Sequence, residues 1–280
     1  MSEKRGAAFY VLAIFFALFV AFLYGPIVTI GILSFQGPSG GLTFPMNGVS
    51  THWFFDLFEQ QAVGDFWGSF SRSFMLGLMV MAVTVVVSVM AGLAFRRRFV
   101  GATWLFYLAV TSLIIPSILV SLGVGLMFDI AGITPNWFSS AFGAQLTWTL
   151  PFGLLIMFAV FNRFDKSYEE AARDLGATPW QTVRHVVLPI IGPSLIGVAL
   201  FGFTLSYDEF ARTLMTAGSR NTLPLEIFGM TTNVTTPVLY ALGTLTTVFS
   251  FLIICAALGA VALTRRRKAR GPSDAGKGMV

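Results

Sequence analysis

Six apolar runs punctuate this chain, each about long enough to cross a bilayer, and positive charge collects in clusters between them. A backbone in hydrocarbon has no water to bond to, so a run of about 20 apolar residues is read as a helix that satisfies its own N–H and C=O groups. The runs cover Phe9 to Phe35, Ser73 to Phe95, Trp104 to Phe128 and Ala144 to Phe161. The fifth begins near Pro189 and fades into Tyr207, Asp208 and Glu209, and the sixth covers Leu239 to Leu263. The fold class this predicts is an all-α integral membrane protein with six transmembrane helices. The first run is too long for a cleavable signal peptide and lacks a small-residue cleavage site. Pro26 is expected to bend it.

Composition agrees. Charged residues are 11% of the chain and hydrophobic residues 55%, with a mean hydropathy of +0.78. A soluble domain carries about a quarter charged residues. A net charge of +5 would suit nucleic acid, but the basic residues flank apolar runs, which is a membrane-topology pattern.

That pattern orients the chain. Lys4, Arg5, the Arg96–Arg97–Arg98 triplet, Arg163, Lys166, Arg173, Arg184, Arg265–Arg266–Arg267–Lys268, Arg270 and Lys277 fall on one side, 15 of the 18 basic residues. Arg72, Arg212 and Arg220 fall on the other. Short loops rich in Lys and Arg stay inside, so both termini are expected in the cytoplasm. The opposite side carries Asp56, Glu59, Asp65, Asp129, Asp208, Glu209 and Glu226. Either acids are simply tolerated there, or they line a vestibule that favours cations. The expected organisation is a short cytoplasmic N-terminus at 1–8, one six-span domain at 9–264 with a cytoplasmic segment at 163–188, and a basic, disordered tail at 265–280. An interfacial helix is expected in the outer loop from Gln36 to Arg72. The segment Ala217 to Pro237 is expected to fold back toward the outer vestibule.

Several chemistries are excluded by what is missing. Cys255 is the single cysteine, so no disulfide framework or thiolate metal site forms. His52 and His185 are too isolated to hold a metal. None of Lys4, Lys166, Lys268 and Lys277 follows a glycine-rich phosphate loop, so the chain should not hydrolyse ATP alone. No cluster of nucleophile and base marks a membrane enzyme. Ser121 and Gly125 form a small-xxx-small pair of the kind that lets two helices approach closely. Pro116, Pro151 and Pro193 lie in or at spans and are expected to kink them.

The most informative stretch is S-Y-E-E-A-A-R-D-L-G-A-T-P-W-Q-T-V-R-H-V-V-L-P, Ser167 to Pro189. Ser167 and Glu170 have capping-box spacing, which predicts a helix over Tyr168 to Leu175. Gly176 suits the left-handed residue that ends such a helix. Thr178 and Gln181 form a second capping box with Pro179 at the first helical position, which predicts another short helix to Val187. Pro189 is then expected to open the fifth span. Ala171, Ala172 and Leu175 make a small apolar patch on the first helix.

Glu170–Ala171–Ala172, then Gly176, then Val186, Leu188 and Pro189 resembles the Glu-Ala-Ala loop of ABC-importer permeases. That pattern is Glu-Ala-Ala, three residues, Gly, nine residues, Ile, one residue, Leu-Pro, and only Val186 departs from it. The resemblance implies the type I ABC-importer permease architecture in a cell inner membrane. It also implies that Glu170, Ala171, Ala172, Leu175 and Gly176 form a coupling helix docked on a separate ATP-binding subunit. The implied partners are a homologous permease (a heterodimer in the usual arrangement), two ATP-binding subunits and a periplasmic solute-binding protein. This chain would carry no cofactor, since ATP would be bound by the partner.

Over nearly the whole chain the resemblance extends to spermidine/putrescine-type permeases. Phe203-Thr204-Leu205-Ser206-Tyr207-Asp208-Glu209 is similar to a Phe-Thr-Leu-Ser-Met-Asp-Asp segment there, and Leu223-Pro224-Leu225-Glu226-Ile227 to a Leu-Pro-Leu-Lys-Ile stretch. A carboxylate at the end of a span is a functional candidate by default. Tyr207, Asp208 and Glu209 are therefore the substrate-pathway candidates, for a polyamine or related cationic amine. The alternative is a solvated helix end with Asp208 paired to Arg212. Relatives also import other amines, opines, amino-acid derivatives and iron complexes. A self-sufficient secondary transporter or channel is the competing reading, but it lacks charges at span centres and an inverted repeat.

Overall fold

Among the described residues of the computed structural model, five helices are long and apolar enough to cross a membrane. The structure describes residues 6–58, 64–97, 99–233 and 236–269. Lys4, Arg5, Glu59, Arg98, Arg270 and Lys277, used above for charge balance, lie outside the described residues, as does the tail from 270 onward. In chain order the helices are α1 (Ala7–Leu33), α2 (His52–Asp56), α3 (Phe66–Phe95), α4 (Ala102–Thr111) and α5 (Ser117–Ile130). A π-turn at Trp137–Ala141 leads into α6 (Phe142–Asn162), followed by α7 (Ser167–Asp174). Next, α8 (Pro179–Thr182), a π-turn at Val183–Val187 and α9 (Leu188–Tyr207) run as one continuous helix. The last helices among the described residues are α10 (Leu223–Asn233) and α11 (Val238–Ala269). The basic run Arg265–Lys268, assigned above to the tail, is still helical.

Three expectations are corrected. The third apolar run is two helices. Its chain leaves α4 at Ser112 and passes through tight turns at Leu113 and Ile114 before Pro116, which is extended at ψ 130°. Proline has no N–H and disfavours helical backbone at Ile115, so the helix stops and restarts. Ser112 Oγ donates to Thr147 O on α6 at 2.7 Å, holding the break in place. At 1.5 Å per residue α4 reaches about 15 Å and α5 about 21 Å, so neither alone spans a core of about 30 Å.

The second correction is at Pro189, which opens no separate span. The helix begun at Pro179 runs through it, because the preceding turn widens and Leu188 N–H bonds to Val183 O, one residue further back than in an α-helix. A π-turn of this kind shifts the hydrogen-bond register where proline has no donor to offer. The third correction is the Ser167–Glu170 capping box, which does not form. Ser167 is already inside α7, and its N–H donates to the carboxylate of Asp165 at 3.0 Å.

The chain divides into two compact units, Met1–Phe66 with Ile227–Leu252, and Trp67–Glu226 with Ile253–Val280. In the first, none of the most apolar window of α1 is buried, and Phe15 and Phe22 stand out at 68% and 80% exposure. This is a surface for lipid or another membrane helix. The loop that follows α1 is organised around fully buried Gln36. Its amide bonds Gly41 O, Thr43 O and the N–H of Asn47, and its carbonyl accepts from Trp53 Nε1 at 2.8 Å. Trp53 lies on α2, the short helix expected in this loop.

In the second unit α6 and α9 pack on each other and on α3. Met157, Phe161, Val187, Ile191 and Val198 form the core, with Val85, Val89 and Leu93 against it. Lipid tails are as apolar as these side chains, so close packing and interhelical hydrogen bonds, more than water exclusion, hold such helices together. One such bond joins Thr84 Oγ1 to Thr149 Oγ1 at 3.0 Å, worth about 0.6 kcal/mol in a typical membrane protein.

Candidate functional site

Between α6 and α9 the chain makes a helical hairpin, and each of its turns is closed by local chemistry. Asp165 starts α7, and its bonds from the Ser167 backbone and hydroxyl hold its carboxyl below the usual carboxylate range. Glu169 and Glu170 sit in the first turn and Arg173 in the last, the favourable order for the helix dipole. At the far end Ala177 N–H bonds Ala172 O and Gly176 N–H bonds Arg173 O. That pair of bonds is the Schellman closure, which needs a left-handed residue, and Gly176 has φ +82°. The second capping box forms as read from the sequence: Gln181 N–H donates to Thr178 Oγ1, and Thr178 N–H to Gln181 Oε1.

The result is a rigid α7 with two different faces. Lys166, Glu169, Glu170 and Arg173 follow helical spacing and line a cavity beside the end of α3. There Arg96 grips Glu169 through both guanidinium nitrogens, with Nη2–Oε2 at 3.1 Å. The guanidinium carbon lies 5.1 Å from the ring centres of both Phe161 and Phe164. The other face carries Ala171 and Leu175, both exposed, Leu175 at 90%. Beside it a hollow of about 400 Å3 is lined by Leu175, Gly176, Gln181 and His185, among others. So Ala171, Leu175 and Gly176 share an open apolar edge and Ala172 is half-buried, while exposed Glu170 points along the charged side. Glu169, which anchors the helix, was missed in the sequence. Its partner Arg96 lies 73 positions away, and no local spacing signals the pair.

The second group of candidates lies at the C-terminal end of α9. Tyr207 is buried, stacked on Phe203 at 5.7 Å and edge-on to Phe70 at 6.3 Å. Asp208 caps the helix and is exposed. Glu209 is buried and pairs with Arg212: Nη1–Oε2 is 3.7 Å, and the Arg212 N–H donates to Oε1 at 2.8 Å. Arg212 therefore neutralises Glu209, not Asp208. The two candidate carboxylates are separated by environment, Asp208 exposed and Glu209 buried.

Arg212 is the hub of this region, at 2% exposure. Its Nη1 donates to Ser117 Oγ at 2.6 Å, its Nε to Thr147 Oγ1 at 3.3 Å, and it lies 4.6 Å from the Trp148 ring centre. Ser121 Oγ donates to Arg212 O and accepts from Met215 N–H at 2.9 Å. A Cβ on Gly125 would meet Met215 O at 3.0 Å. The small pair Ser121 and Gly125 thus receives an irregular segment of chain, where a second helix was expected. The polar groups of this irregular backbone are met by side chains, here Ser121. Among the described residues, no group of three or more metal-ligating side chains stands together.

Comparison with known proteins agrees with the architecture. Residues 84–268, more than half of the chain, match the family described as "Binding-protein-dependent transport system inner membrane component". The spermidine/putrescine transport system permease protein PotC of Haemophilus influenzae is 28% identical over 236 residues, covering 84% of this chain and 90% of that protein. The putrescine transport system permease protein PotI of Escherichia coli K12 is 27% identical over 232 residues, covering 80% and 81%. Among solved structures, a bacterial ABC transporter involved in alginate import superposes with a TM-score of 0.64 at 16% identity, covering 93% of this chain and 99% of that one. The inward-facing MetNI methionine ABC transporter gives 0.55 at 20% identity, covering 71% and 93%. A family match across α3 to α11 sets aside the self-sufficient carrier and the membrane enzyme. This chain belongs to the binding-protein-dependent transport system inner membrane components, and it is the non-catalytic, multi-pass permease subunit of an ABC importer.

Proposed function

We propose that this permease carries a small cationic amine of the polyamine class, and that α7 is the element through which a separate ATPase drives it. The observation that carries the coupling role is the open edge of α7, with Ala171, Leu175 and Gly176 exposed on a helix whose opposite face is pinned by Arg96. A helix locked at both ends moves as a body, so a push on its free face reaches α3, α6 and α9 together. Glu170, exposed at the start of that helix, supplies a polar contact to the ATPase, and Ala172 allows close approach.

In this reading α4 and α5 make one broken crossing, giving six crossings with both termini cytoplasmic. The clustering of basic residues on one side supports that orientation. One six-span chain forms half of a pathway, so a homologous permease completes it, two ATP-binding subunits power it and a periplasmic solute-binding protein delivers the cargo. The similarity to spermidine and putrescine permeases supports an amine cargo. Within the pathway Asp208 offers the exposed carboxylate, while Tyr207 and the Glu209–Arg212 pair frame it.

The test is co-purification of ATPase subunits from native membranes, comparing the unaltered chain with Gly176→Asp, joined to uptake of labelled putrescine and spermidine. Loss of the ATPase in the variant, with polyamine uptake by the unaltered chain that falls at least tenfold in Asp208→Asn, is the expected result. An ATPase held equally by both chains overturns the coupling role. Uptake unchanged by Asp208→Asn overturns the pathway role.

A further inference from the structure

The charged face of α7 and the end of α3 enclose a cavity of about 640 Å3. Arg96, Arg97, Lys166 and Arg173 contribute four cations to its lining, and Glu169 and Glu170 two anions. Glu169 is already committed, bidentate to Arg96 and 3.8 Å from Arg173. Arg97 and Lys166 are exposed at the rim. Among the described residues, the lining thus keeps an excess of two positive charges after its acids are counted.

Its walls are not polar throughout. Leu93 and Ala94, from the last turns of α3, line one side with Phe99 just beyond, and Pro179 and Val183 line another. Because α3 is apolar and, at about 45 Å, long enough to cross the hydrocarbon core and enter the headgroup layer, its last turns, ending at Phe95, carry the apolar wall into the membrane face. The cations then sit at headgroup level. An apolar wall continuous with the bilayer, below a rim of excess positive charge, matches one kind of occupant.

We propose that this cavity binds the headgroup of an anionic phospholipid. The phosphodiester lies between Arg97, Lys166 and Arg173, and the first acyl carbons rest on Leu93, Phe99 and Val183. Basic pockets between helices at a membrane face bind anionic headgroups by this combination of charge and depth. A soluble phosphate compound would use the cations but leave the apolar wall bare, and the acidic surface of a protein partner would not reach into the bilayer edge. The proposal does not rest on which cargo is carried.

The experiment uses the full chain, delipidated and placed in nanodiscs containing phosphatidylglycerol or phosphatidylethanolamine, with bound lipid counted by native mass spectrometry. Arg97→Gln with Lys166→Gln is compared with Arg163→Gln and Arg184→Gln, two exposed cations outside the cavity. The unaltered chain is expected to prefer phosphatidylglycerol, and the cavity variant to lose that preference by about tenfold or more, at roughly fivefold per cation. The control variant is expected to keep it. Equal retention of both lipids, or equal loss in the two variants, overturns the site. Displacement of the lipid by inorganic phosphate, or by assembly with the ATPase, also overturns it in favour of a soluble anion or a protein surface.

Discussion

Arg96 at the end of α3 and Glu169 in the first turn of α7 form a bidentate ion pair, with the guanidinium held between the rings of Phe161 and Phe164. Both side chains are mostly buried, at 15% and 13% exposure. A charge-assisted pair in that setting is stronger than a surface salt bridge. It joins α7, the helix proposed to meet the ATPase, to a membrane-crossing helix that is far from it in sequence. Glu169→Gln is expected to weaken the joint by about 1–3 kcal/mol. ATP hydrolysis then continues while cargo moved per ATP falls several-fold. Arg96→Glu with Glu169→Arg should recover part of the loss, and a charge swap with no recovery would show that the pair does not transmit the motion.

Gly176 is held at φ +82° with no atom within 4 Å of where a Cβ would stand. A side chain there meets only the backbone penalty, about 1–2 kcal/mol for an L residue. Gly176→Ala is therefore expected to lower stability by about that amount, and Gly176→Asn by less, because asparagine tolerates this region. Thermal unfolding of the purified variants reads the difference. The inverse order would mean that packing, not backbone conformation, fixes this glycine.

The hairpin also marks where sequence reasoning holds and where it fails. Gly176 and the Thr178–Gln181 box were legible because each is decided by neighbours within a few positions. The Ser167–Glu170 box had equally good spacing and did not form. Asp165, two residues upstream, supplies a stronger acceptor and starts the helix earlier. The long apolar runs were legible because lipid leaves the backbone few choices. The break at Ser112–Pro116 was not, because hydropathy carries on across it and only Pro116 and the bond to Thr147 reveal it. Arg212 and Glu209 were placed in the right region with the wrong pairing. The segment after α9 leaves the helix, so i,i+4 spacing from Asp208 no longer describes who faces whom.

Ser121 Oγ both receives the Met215 N–H and donates to Arg212 O. Ser121→Ala removes the partner of the Met215 N–H, while Arg212 O keeps the bond from the Thr216 hydroxyl, so the expected cost is about 1 kcal/mol. Gly125→Leu is expected to be worse, since even a Cβ stands 3.0 Å from Met215 O and the segment must move to admit the rest of the side chain. The readout is proteolysis between Asp208 and Asn221. Cleavage should rise in Gly125→Leu and stay low in Gly123→Ala, whose Cβ would meet nothing within 4 Å.

Glu209 and Arg212 offer the sharpest test of what holds the segment after α9. Both are nearly inaccessible, at 7% and 2% exposure. Removing one partner strands a buried charge, so Glu209→Gln is expected to cost about 3–5 kcal/mol. Arg212→Met strands the carboxylate in the same way. Replacing both removes the two charges together, and such replacements in buried pairs are often neutral. The double variant is therefore expected to unfold closer to the unaltered chain than either single variant, with a coupling of about 2 kcal/mol or more. Its transport is a separate matter. If the pair only holds the segment in place, the stable double variant keeps whatever uptake of the proposed amine cargo the unaltered chain shows. If Glu209 itself meets the cargo, the double variant folds but fails to transport.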